Sequence, residues 1–442
     1  MGGDGDALVH GAAVDSRVLR PSQLFFALRG RMDGADFAPE AHLRGAVATV
    51  ADRPLDVPTL VVEDPLKALQ ELARWSLAVD QTTSPKVVGI TGSVGKTTTK
   101  DALATILRSA GIKTCATEGN FNNEIGLPLT VLTAGEGTEV LVLEMGATHS
   151  GDIEALCRIA PPQVGILTAI APVHLDSFGS LEDLAAAKGE LASAVPHEGC
   201  FVAPAGVPEA AVAAGKTFAQ RITFSKEAKY EVQLWSSEVE EQDEGLRFVV
   251  HWRGESAVAR VPIFGTHLVE PLLAAFGGAL CLGVELEACV QGVSRIKRTG
   301  LRGDVYRLRD DIVVYDDSYN ASPKAMEAVL RYGTDQARRQ NRRFVAVLGS
   351  MFELGPGSRA YHRETGEIAQ EVGVDLLVGV GEEARWYGET FSGDTLLYRD
   401  ATSAAEGLQE ALRGGEYVVV KGSRGVSLDL LTSRLKEKLT LV

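Results

Sequence analysis

The chain has 442 residues, of which 45% are hydrophobic and 23% charged, and it carries a formal net charge of −15. This length exceeds what one hydrophobic core usually serves and predicts about three domains. The negative charge argues against a nucleic-acid backbone or an anionic membrane as the main partner, although local positive charge still binds phosphates. We find no signal-peptide pattern and no run of ~18 apolar residues, so we expect a cytoplasmic protein without membrane insertion. We also expect it to be a monomer.

The cysteines are scattered and show no C-x-x-C spacing. This pattern predicts neither a disulfide framework nor a zinc site, and free thiols suit a reducing compartment. The five residues are Cys115, Cys157, Cys200, Cys281 and Cys289.

Two polar junctions, at Asp80–Lys86 and at Lys297–Asp304, divide the chain. They predict an N-terminal α/β domain over residues 1–82, a central domain over 83–298 and a C-terminal domain over 299–442. Each has an ordinary domain size, and the fold class is α/β throughout.

The central domain alternates strand and helix patterns, which predicts a parallel sheet covered by helices. The predicted strands are Lys86–Thr91, Val140–Leu143 and Val164–Ile170, and the predicted helices are Thr97–Ala110 and Leu181–Val195. Residues Arg221–Pro262 instead alternate around the acidic turn EVEEQDEG, so we expect a small antiparallel excursion there.

The last domain alternates again and reads as Rossmann-like. Its apolar strands are predicted at Ile312–Tyr315, Phe344–Leu348, Leu376–Val380 and Tyr417–Val420. Ligands of open parallel sheets lie at the carboxyl ends of the strands, so the residues after each strand are the candidates for chemistry.

The segment KVVGITGSVGKTTTK is a strand, a glycine turn and a helix start. Glycines let the backbone N–H groups point inward around a phosphate, and the helix adds its positive end. Lys96 supplies a charge for the β- and γ-phosphates, and Thr97 a hydroxyl for Mg²⁺. Ile90 replaces the first glycine of the general pattern, so the loop is a variant. The predicted ATP-binding residues here are Gly92, Ser93, Val94, Gly95, Lys96, Thr97 and Thr98.

Three further side chains are candidate metal ligands. Glu144 ends the apolar run VLVLE and can hold Mg²⁺, or it is an ordinary strand-ending acid. His174 follows a predicted strand and is a metal or phosphate contact, or else structural. Lys188 falls in the apolar stripe of its helix, where burial favours the neutral amine. A neutral lysine can form a carbamate that binds Mg²⁺; the alternative is a side chain that extends to solvent.

The variant loop, followed by EGNFNNEIGLPLT at Glu118–Thr130, resembles the Mur ligase family of peptidoglycan synthesis. DDSYNASPKAM at Asp316–Met326, LGSMFELG at Leu348–Gly355 and VKGSRG at Val420–Gly425 are similar to the members that join D-alanyl-D-alanine to UDP-N-acetylmuramoyl-tripeptide. The segment DSR at Asp15–Arg17 resembles the uridine-nucleotide domain of those enzymes.

The resemblance implies ATP and Mg²⁺ as cofactors and a role for each matched residue. Lys96, His174 and Lys188 would be catalytic, with Thr97 and Glu144 at one Mg²⁺ and His174 and carbamylated Lys188 at a second. The implied nucleotide contacts of the C-terminal domain are Arg302, Asp317, Tyr319, Asn320 and Pro323. The implied substrate contacts are Ser16, Arg17, Asn120, Asn122, Asn123, Lys421, Ser423 and Arg424.

Two of the chain's departures from the family pattern concern individual side chains. It reads HLVEP at His267–Pro271 where H-N-x-x-N is common, so adenine must be recognised differently. Ser350 stands where aspartate is usual. Two other functions stay open: an amide ligase of the same superfamily acting on another muramoyl peptide or a folate, and a nucleotide-driven regulatory module without ligase activity.

Overall fold

The computed structural model describes residues 7–79, 84–172, 175–228, 232–242, 244–296 and 303–439. They form three α/β units in chain order, which confirms the predicted fold class. Both predicted domain boundaries fall in segments outside the described residues, so their positions stay predictions. Within the described ranges, no helix is long and apolar enough to cross a membrane.

The N-terminal unit is a small, fully parallel sheet in the order β1-β2-β3-β4. Its strands are β1 (Ala12–Ala13), β2 (Leu24–Phe26), β3 (Ala48–Ala51) and β4 (Thr59–Val61), and its helices are α1 (Ala38–Leu43) and α2 (Pro65–Ala78). Asp64 caps α2 by accepting the N–H groups of Leu66 and Lys67. Leu69 of α2 shares a core with Leu129 of the central unit, so the first two units pack together.

The central unit contains a nine-stranded sheet, in the order β13-β12-β11-β10-β9-β8-β5-β7-β6 among the described strands. Those strands are β5 (Lys86–Thr91), β6 (Thr114–Ala116), β7 (Val140–Glu144), β8 (Val164–Leu167), β9 (Cys200–Pro204), β10 (Gln220–Ser225), β11 (Leu234–Gln242), β12 (Gly245–Trp252) and β13 (Glu255–Val261). Strands β5 to β11 run parallel. The antiparallel excursion expected over Arg221–Pro262 is therefore confirmed only for the pairing of β11, β12 and β13, because β10 and the start of β11 continue the parallel sheet.

Helices cover both faces of this sheet. They are α3 (Lys96–Ser109), α4 (Gly126–Leu132), α5 (Asp152–Ile159), α6 (Leu175–Phe178), α7 (Leu181–Lys188), α8 (Glu190–Ala194), α9 (Pro208–Ala214), α10 (Val269–Cys281) and α11 (Leu286–Val293). Helices α3, α10 and α11 share one core cluster, while α4, α5 and α7 to α9 share the other. The strand order reverses at β5, which places a crevice at its carboxyl end.

Three predicted elements of the central unit are wrong in detail. The helix expected over Leu181–Val195 breaks at Gly189, where Ala213 packs so closely that a side chain would not fit freely. The strand expected to reach Ile170 ends at Leu167, because the next residues turn to contact the glycine loop. Most of the acidic stretch expected as a turn belongs to β11, which ends at Gln242.

The C-terminal unit is a six-stranded sheet among the described strands, ordered β14-β15-β19-β16-β17-β18, with only β14 antiparallel to its neighbour. The strands are β14 (Asp304–Arg307), β15 (Val313–Asp316), β16 (Phe344–Gly349), β17 (Leu376–Val380), β18 (Asp394–Tyr398) and β19 (Tyr417–Lys421), and the helices are α12 (Pro323–Arg339), α13 (Ser358–Val372), α14 (Ala401–Ala411) and α15 (Leu428–Leu439). Separate cores on the two faces give the layered arrangement predicted for this domain.

The prediction of free thiols is wrong for one pair of cysteines. Cys200 on β9 and Cys281 at the end of α10 form a disulfide, with their Cα atoms 6.0 Å apart. They are 81 residues apart in sequence, so a rule based on local spacing does not detect them. The packing of α10 against β9 brings them together. Cys115, Cys157 and Cys289 are free, as expected.

Glu241 of β11 joins the central and C-terminal units. Its Oε1 accepts the N–H of Gly265 at 2.6 Å, and its Oε2 accepts Gln336 Nε2 of α12 at 2.8 Å. Arg339, one turn further along α12, donates to the Glu241 carbonyl at 3.3 Å. One acidic residue therefore connects the central sheet, the segment leading into α10, and the C-terminal domain.

Candidate active site

The glycine loop between β5 and α3 has the conformation that a phosphate cradle requires. Gly92 and Gly95 have φ angles of +144° and +85°, which disfavour residues with side chains. A Cβ on Gly92 would lie 2.1 Å from Thr168 Oγ1, and one on Gly95 would lie 2.9 Å from Pro271 Cγ. Helix α3 begins at Lys96, so its N-terminal N–H groups point toward the loop.

Side chains of the neighbouring strand segment hold the loop in place. Ser93 Oγ donates to the carbonyl of Ala171 at 2.9 Å and accepts its N–H at 3.0 Å. Thr168 Oγ1 donates to the carbonyl of Val94 at 2.6 Å. The loop is thus tied to the residues that follow β8, and the Ser93 hydroxyl serves this connection.

Lys96 folds back over the loop that precedes it. Its Nζ donates to the carbonyls of Gly92 at 2.5 Å and Ser93 at 3.3 Å. The ammonium therefore lies above the cradle, where it can reach a phosphate. Thr98 follows in the first turn of α3 and is half-buried.

Glu144, at the end of β7, contacts the loop helix directly. Thr97 Oγ1 donates to Glu144 Oε2 at 2.9 Å, and Asn122 Nδ2 donates to Glu144 Oε1 at 2.9 Å. The Glu144 N–H donates to Thr117 Oγ1 at 3.0 Å. The carboxylate is therefore buried, oriented by two side-chain donors, and placed beside the hydroxyl predicted to bind Mg²⁺.

The donor set of Thr97 and Glu144 fits Mg²⁺, which prefers hard oxygen ligands and retains waters and phosphate oxygens. Among the described residues, no group of three or more His, Cys, Asp or Glu side chains could hold a metal ion. The oxygen donors of Thr97 and Glu144 beside the glycine loop suit a cation bound between protein oxygens and phosphates, the usual arrangement for Mg²⁺ in nucleotide-dependent enzymes.

Lys188 is buried at the end of α7, as the apolar stripe predicts, with 2% of its surface exposed. Burial, with a smaller contribution from the Lys96 ammonium, lowers the pKa of its amine from 10.5 to about 7. Its Nζ donates to the carbonyl of Ala147 at 3.4 Å and lies 5.7 Å from the centre of the Phe178 ring. The side chain does not extend to solvent, and a substantial fraction of its amine is uncharged at physiological pH.

His174 and Arg302, predicted as a metal and a nucleotide contact, lie outside the described residues. The residues just after His174 form α6, which contacts the turn at 355–357 of the C-terminal unit. The C-terminal unit therefore contacts α6 of the central unit.

The loop before α4 carries three asparagines predicted as substrate contacts, and their side chains have different partners. Asn122 binds Glu144, as described above. Asn123 Oδ1 accepts the N–H groups of Gly126 at 2.9 Å and Ile125 at 3.3 Å, so its side chain caps α4. Asn120 is exposed at the tip of the loop. Asn120 therefore presents the most accessible amide of the three.

The loop between β15 and α12 carries the remaining predicted nucleotide contacts. Asp317 pairs with Lys421 Nζ at 2.5 Å, and Tyr319 is half-buried. Asn320 is exposed, with its Oδ1 accepting the Ala321 N–H at 2.9 Å. Pro323 is the first residue of α12, where its fixed φ suits a helix start. The structure thus joins a predicted nucleotide contact to Lys421, a predicted substrate contact.

The segment HLVEP lacks the side-chain amides of the usual family pattern, and its residues instead make packing and main-chain contacts. Pro271 packs against Gly95, and its carbonyl accepts Thr99 Oγ1 at 3.0 Å. Leu268 packs on the central core. Burial lowers the pKa of the His267 imidazole to about 4, and its Nδ1 is buried without a hydrogen-bond partner. Pro271 therefore supports the phosphate loop through its backbone and ring.

Ser350, at the position where aspartate is usual, accepts hydrogen bonds from two main-chain N–H groups. Its Oγ accepts the N–H groups of Glu383 at 3.1 Å and Ala384 at 3.2 Å, at the start of a 3₁₀ turn. A hydroxyl can satisfy these donors, as a carboxylate would. Nearby, Ser423 Oγ accepts the Phe352 N–H at 2.9 Å, while the exposed Arg424 pairs with Asp429 at 3.0 Å. Both Ser423 and Arg424 lie at the carboxyl edge of the C-terminal sheet.

The two predicted uridine contacts differ in accessibility. Ser16 is 3% exposed, and its Oγ donates to Glu40 Oε2 at 2.9 Å. Arg17 is largely exposed and pairs with Asp15 at 2.7 Å. The Arg17 side chain is therefore more accessible to a ligand than that of Ser16.

Sequence reasoning did not predict the supporting contacts of Thr117, Thr168 and Pro271, although it singled out the segment HLVEP that contains Pro271. Thr168 directly follows β8, but the predicted strand reached Ile170 and so included Thr168; only the correct strand end makes it a candidate under the rule that polar residues after strands carry function. Nothing in the local sequence reveals Thr117 or Pro271, because both act on residues distant in the chain.

The fold and the site together define a nucleotide-dependent enzyme with a phosphate loop in the middle of three α/β domains. Residues 90–279 match the family model of the Mur ligase middle domain, and residues 301–424 match that of the Mur ligase glutamate ligase domain. The chain belongs to the Mur ligase family, whose members are ATP-dependent ligases.

Individual relatives are similar over nearly the whole chain. The UDP-N-acetylmuramoyl-tripeptide–D-alanyl-D-alanine ligase of Bacillus subtilis is 32% identical, covering 97% of this chain and 94% of its own length. The crystal structure of MurF from Acinetobacter baumannii has a TM-score of 0.85 at 30% identity, covering 96% of this chain and 93% of that one. MurF from Thermotoga maritima, solved in complex with ADP, has a TM-score of 0.83 at 28% identity, covering 98% and 100%.

Proposed function

We propose that this protein joins D-alanyl-D-alanine to UDP-N-acetylmuramoyl-tripeptide in an ATP-dependent step of peptidoglycan precursor synthesis. The observation that carries the proposal is the match across all three domains to relatives named for this reaction. The phosphate loop, the buried Glu144 and the buried Lys188 supply the groups that such a reaction needs.

The chemistry begins with a carboxylate, which is a poor electrophile for an amine. A carboxylate oxygen of the tripeptide attacks the γ-phosphorus of ATP, the bond to the bridging oxygen breaks, and ADP leaves. The dipeptide amine then attacks the carbonyl carbon of the acyl phosphate, loses a proton, and expels inorganic phosphate. The loop N–H groups and Lys96 hold the phosphates during the first step.

Thr97 and Glu144 would hold one Mg²⁺, and His174 with a carbamylated Lys188 a second. Bound there, Mg²⁺ supplies positive charge beside the phosphate oxygens. The low pKa of Lys188 favours the uncharged amine, whose nitrogen attacks the carbon of CO₂ and then loses a proton to give the carbamate. The Glu241 contacts hold the C-terminal domain beside the central one, and such closure would exclude water from the acyl phosphate.

For the remaining contacts, we propose a division by domain. Arg17 and Ser16 belong to the uridine side, and Asn120, Asn122 and Asn123 to the region near the γ-phosphate. Arg302, Asp317, Tyr319, Asn320 and Pro323 belong to the nucleotide cover, and Ser423 and Arg424 lie where the dipeptide carboxylate would bind. We also propose a cytoplasmic location, since both nucleotide substrates are intracellular. We further propose a monomer, for which light scattering should give the chain mass of 47.0 kDa.

The test is the release of ADP and phosphate by purified protein supplied with UDP-N-acetylmuramoyl-tripeptide, with and without D-alanyl-D-alanine. The proposal expects strong stimulation by the dipeptide and a product whose mass equals the two substrates minus water. Stimulation by single D-amino acids but not by the dipeptide would reject the assignment.

A further inference from the structure

Lys421 and Asp317 form an ion pair at the ends of two neighbouring strands. Lys421 Nζ lies 2.5 Å from Asp317 Oδ2 and 3.5 Å from the Asp317 carbonyl oxygen. Strands β15 and β19 are parallel neighbours in which Asp316 is opposite Val420. The next residue on each strand is therefore also opposed, and the Asp317 N–H donates to the Val420 carbonyl at 2.9 Å. The pairing is thus built into the sheet register.

The pair is shielded from water, unlike most ion pairs between described residues. The exposed fractions are 5% for the Lys421 side chain and 16% for Asp317. For comparison, Arg331 and Glu327 of the same domain are 47% and 43% exposed. A shielded pair is weakly screened, and removing one partner leaves an uncompensated charge. Lys421 and Asp317 therefore act as one unit.

His267 of the central domain lies close enough to interact electrostatically with both partners. Burial keeps its imidazole uncharged, Asp317 raises its pKa and Lys421 lowers it. An uncharged imidazole does not balance the negative charge of the Asp317 carboxylate. Lys421 therefore supplies the positive charge that balances it. The pair thus stands near His267, at the boundary with the central domain.

Arg424 offers a very different cation three residues later. Its side chain is 57% exposed, and its partner Asp429 lies on α15 at 3.0 Å. An exposed pair exchanges readily, and a guanidinium presents two parallel donors that match a carboxylate. Arg424 is therefore available to a soluble carboxylate, whereas the charge of Lys421 is already used within the fold.

We propose that Lys421 is a positioning residue for the nucleotide loop at residues 317–323. It orients Asp317, and the carboxylate of the incoming dipeptide binds Arg424. This inference rests on the proposed function, because it assigns Asp317 to ATP and Arg424 to the dipeptide.

The test measures the KM values for ATP and for D-alanyl-D-alanine separately. Lys421→Met should raise the KM for ATP by about tenfold or more, since the Asp317 charge loses its partner. The KM for the dipeptide should change by less than about twofold. Arg424→Ala should show the opposite pattern. Lys438→Met, on an exposed residue of α15, is the matched control and should leave both KM values unchanged.

A double-mutant cycle with Asp317→Asn tests whether the two residues act as one unit. The double variant should be no worse than Asp317→Asn alone, and it removes both charges, which protects folding. Additive losses would overturn the proposal, as would a selective rise in the dipeptide KM for Lys421→Met.

Calorimetric titration with ADP separates this inference from the function itself. Lys421→Met should weaken ADP binding, whereas unchanged ADP affinity would overturn the positioning role. If the wild-type protein shows no turnover with the dipeptide but Lys421→Met still loses ADP affinity, the proposed reaction fails and the role of Lys421 stands.

Discussion

Thr97 and Glu144 are 47 positions apart in sequence, yet Thr97 Oγ1 donates to Glu144 Oε2 at 2.9 Å. The contact follows from the strand order, because β5 and β7 are parallel neighbours and the loop after β5 shares an edge with the end of β7. The fold itself thus positions the carboxylate beside the phosphate loop.

Glu144→Gln should therefore abolish most of the ligase activity without unfolding the protein. The amide keeps an oxygen for Thr97 or Asn122 but lacks the charge that attracts Mg²⁺. We expect a loss of at least about 100-fold, partly offset by raised Mg²⁺ concentration. Phosphate release across a Mg²⁺ titration measures this. Glu136→Gln, on an exposed residue before the same strand, is the control; near-normal activity of Glu144→Gln at low Mg²⁺ would contradict the prediction.

Lys188→Ala should lose most activity, because the shortened side chain cannot carry a carbamate. Short carboxylic acids such as acetate should partly restore it, since they can occupy the space of the missing group. Lys216→Ala is a matched control: Lys216 also donates to a main-chain carbonyl, that of Ala186, but is exposed. Undiminished activity of Lys188→Ala, or loss that no carboxylate restores, would argue against the carbamate.

Much of the central and C-terminal folds could be predicted from local patterns. The bounds of β5 and β17 agree with the predicted strands, and the glycine loop and Glu144 stand where the sequence places them. Apolar runs bounded by glycine or polar residues identify buried strands, because burial on both faces requires continuous apolar sequence.

The contacts between distant residues could not be predicted in the same way. The Cys200–Cys281 bond, the Lys421–Asp317 pair and the Pro271–Gly95 contact each depend on which elements become neighbours. Strand order and helix packing determine those neighbours, and local periodicity carries no information about them. For this reason the sequence predicted the types of residue in the site better than their partners.

Glu241→Ala should loosen the attachment of the C-terminal domain. The variant leaves the Gly265 N–H and the Gln336 amide without their acceptors, at a cost of about 1–3 kcal/mol. We expect a larger radius of gyration in small-angle scattering and a reduced kcat. Glu240→Ala removes the neighbouring, more exposed carboxylate and should change neither. If the two variants behave alike, Glu241 does not hold the domains together.

Reduction of the Cys200–Cys281 bond should destabilise the central domain. The bond joins positions 81 residues apart, and constraining a loop of this length is worth about 4 kcal/mol. Dithiothreitol should therefore lower the unfolding midpoint in denaturant, and intact mass should rise by two hydrogens. The Cys200→Ser/Cys281→Ser variant should start from the lower midpoint and show no response. An equal response of both proteins to reductant would contradict the prediction.

His267 should make the protein less stable as the pH falls below about 6.5. Burial lowers the pKa of the folded imidazole to about 4, while the ordinary value is 6.5. Between these values the unfolded state binds a proton that the folded state does not. The free energy of unfolding should therefore decrease toward acid, by up to about 1.4 kcal/mol per pH unit for this group.

Comparison with His267→Gln isolates this contribution from that of the carboxylates, which titrate in both proteins. Denaturant unfolding from pH 7 to pH 4.5 should show a shallower decrease for His267→Gln than for the wild type. His10→Gln changes an exposed histidine and should follow the wild-type curve. Parallel curves for all three proteins would mean that His267 takes up its proton equally in the folded and unfolded states. That result would contradict the inference that its imidazole is buried and uncharged at the domain boundary.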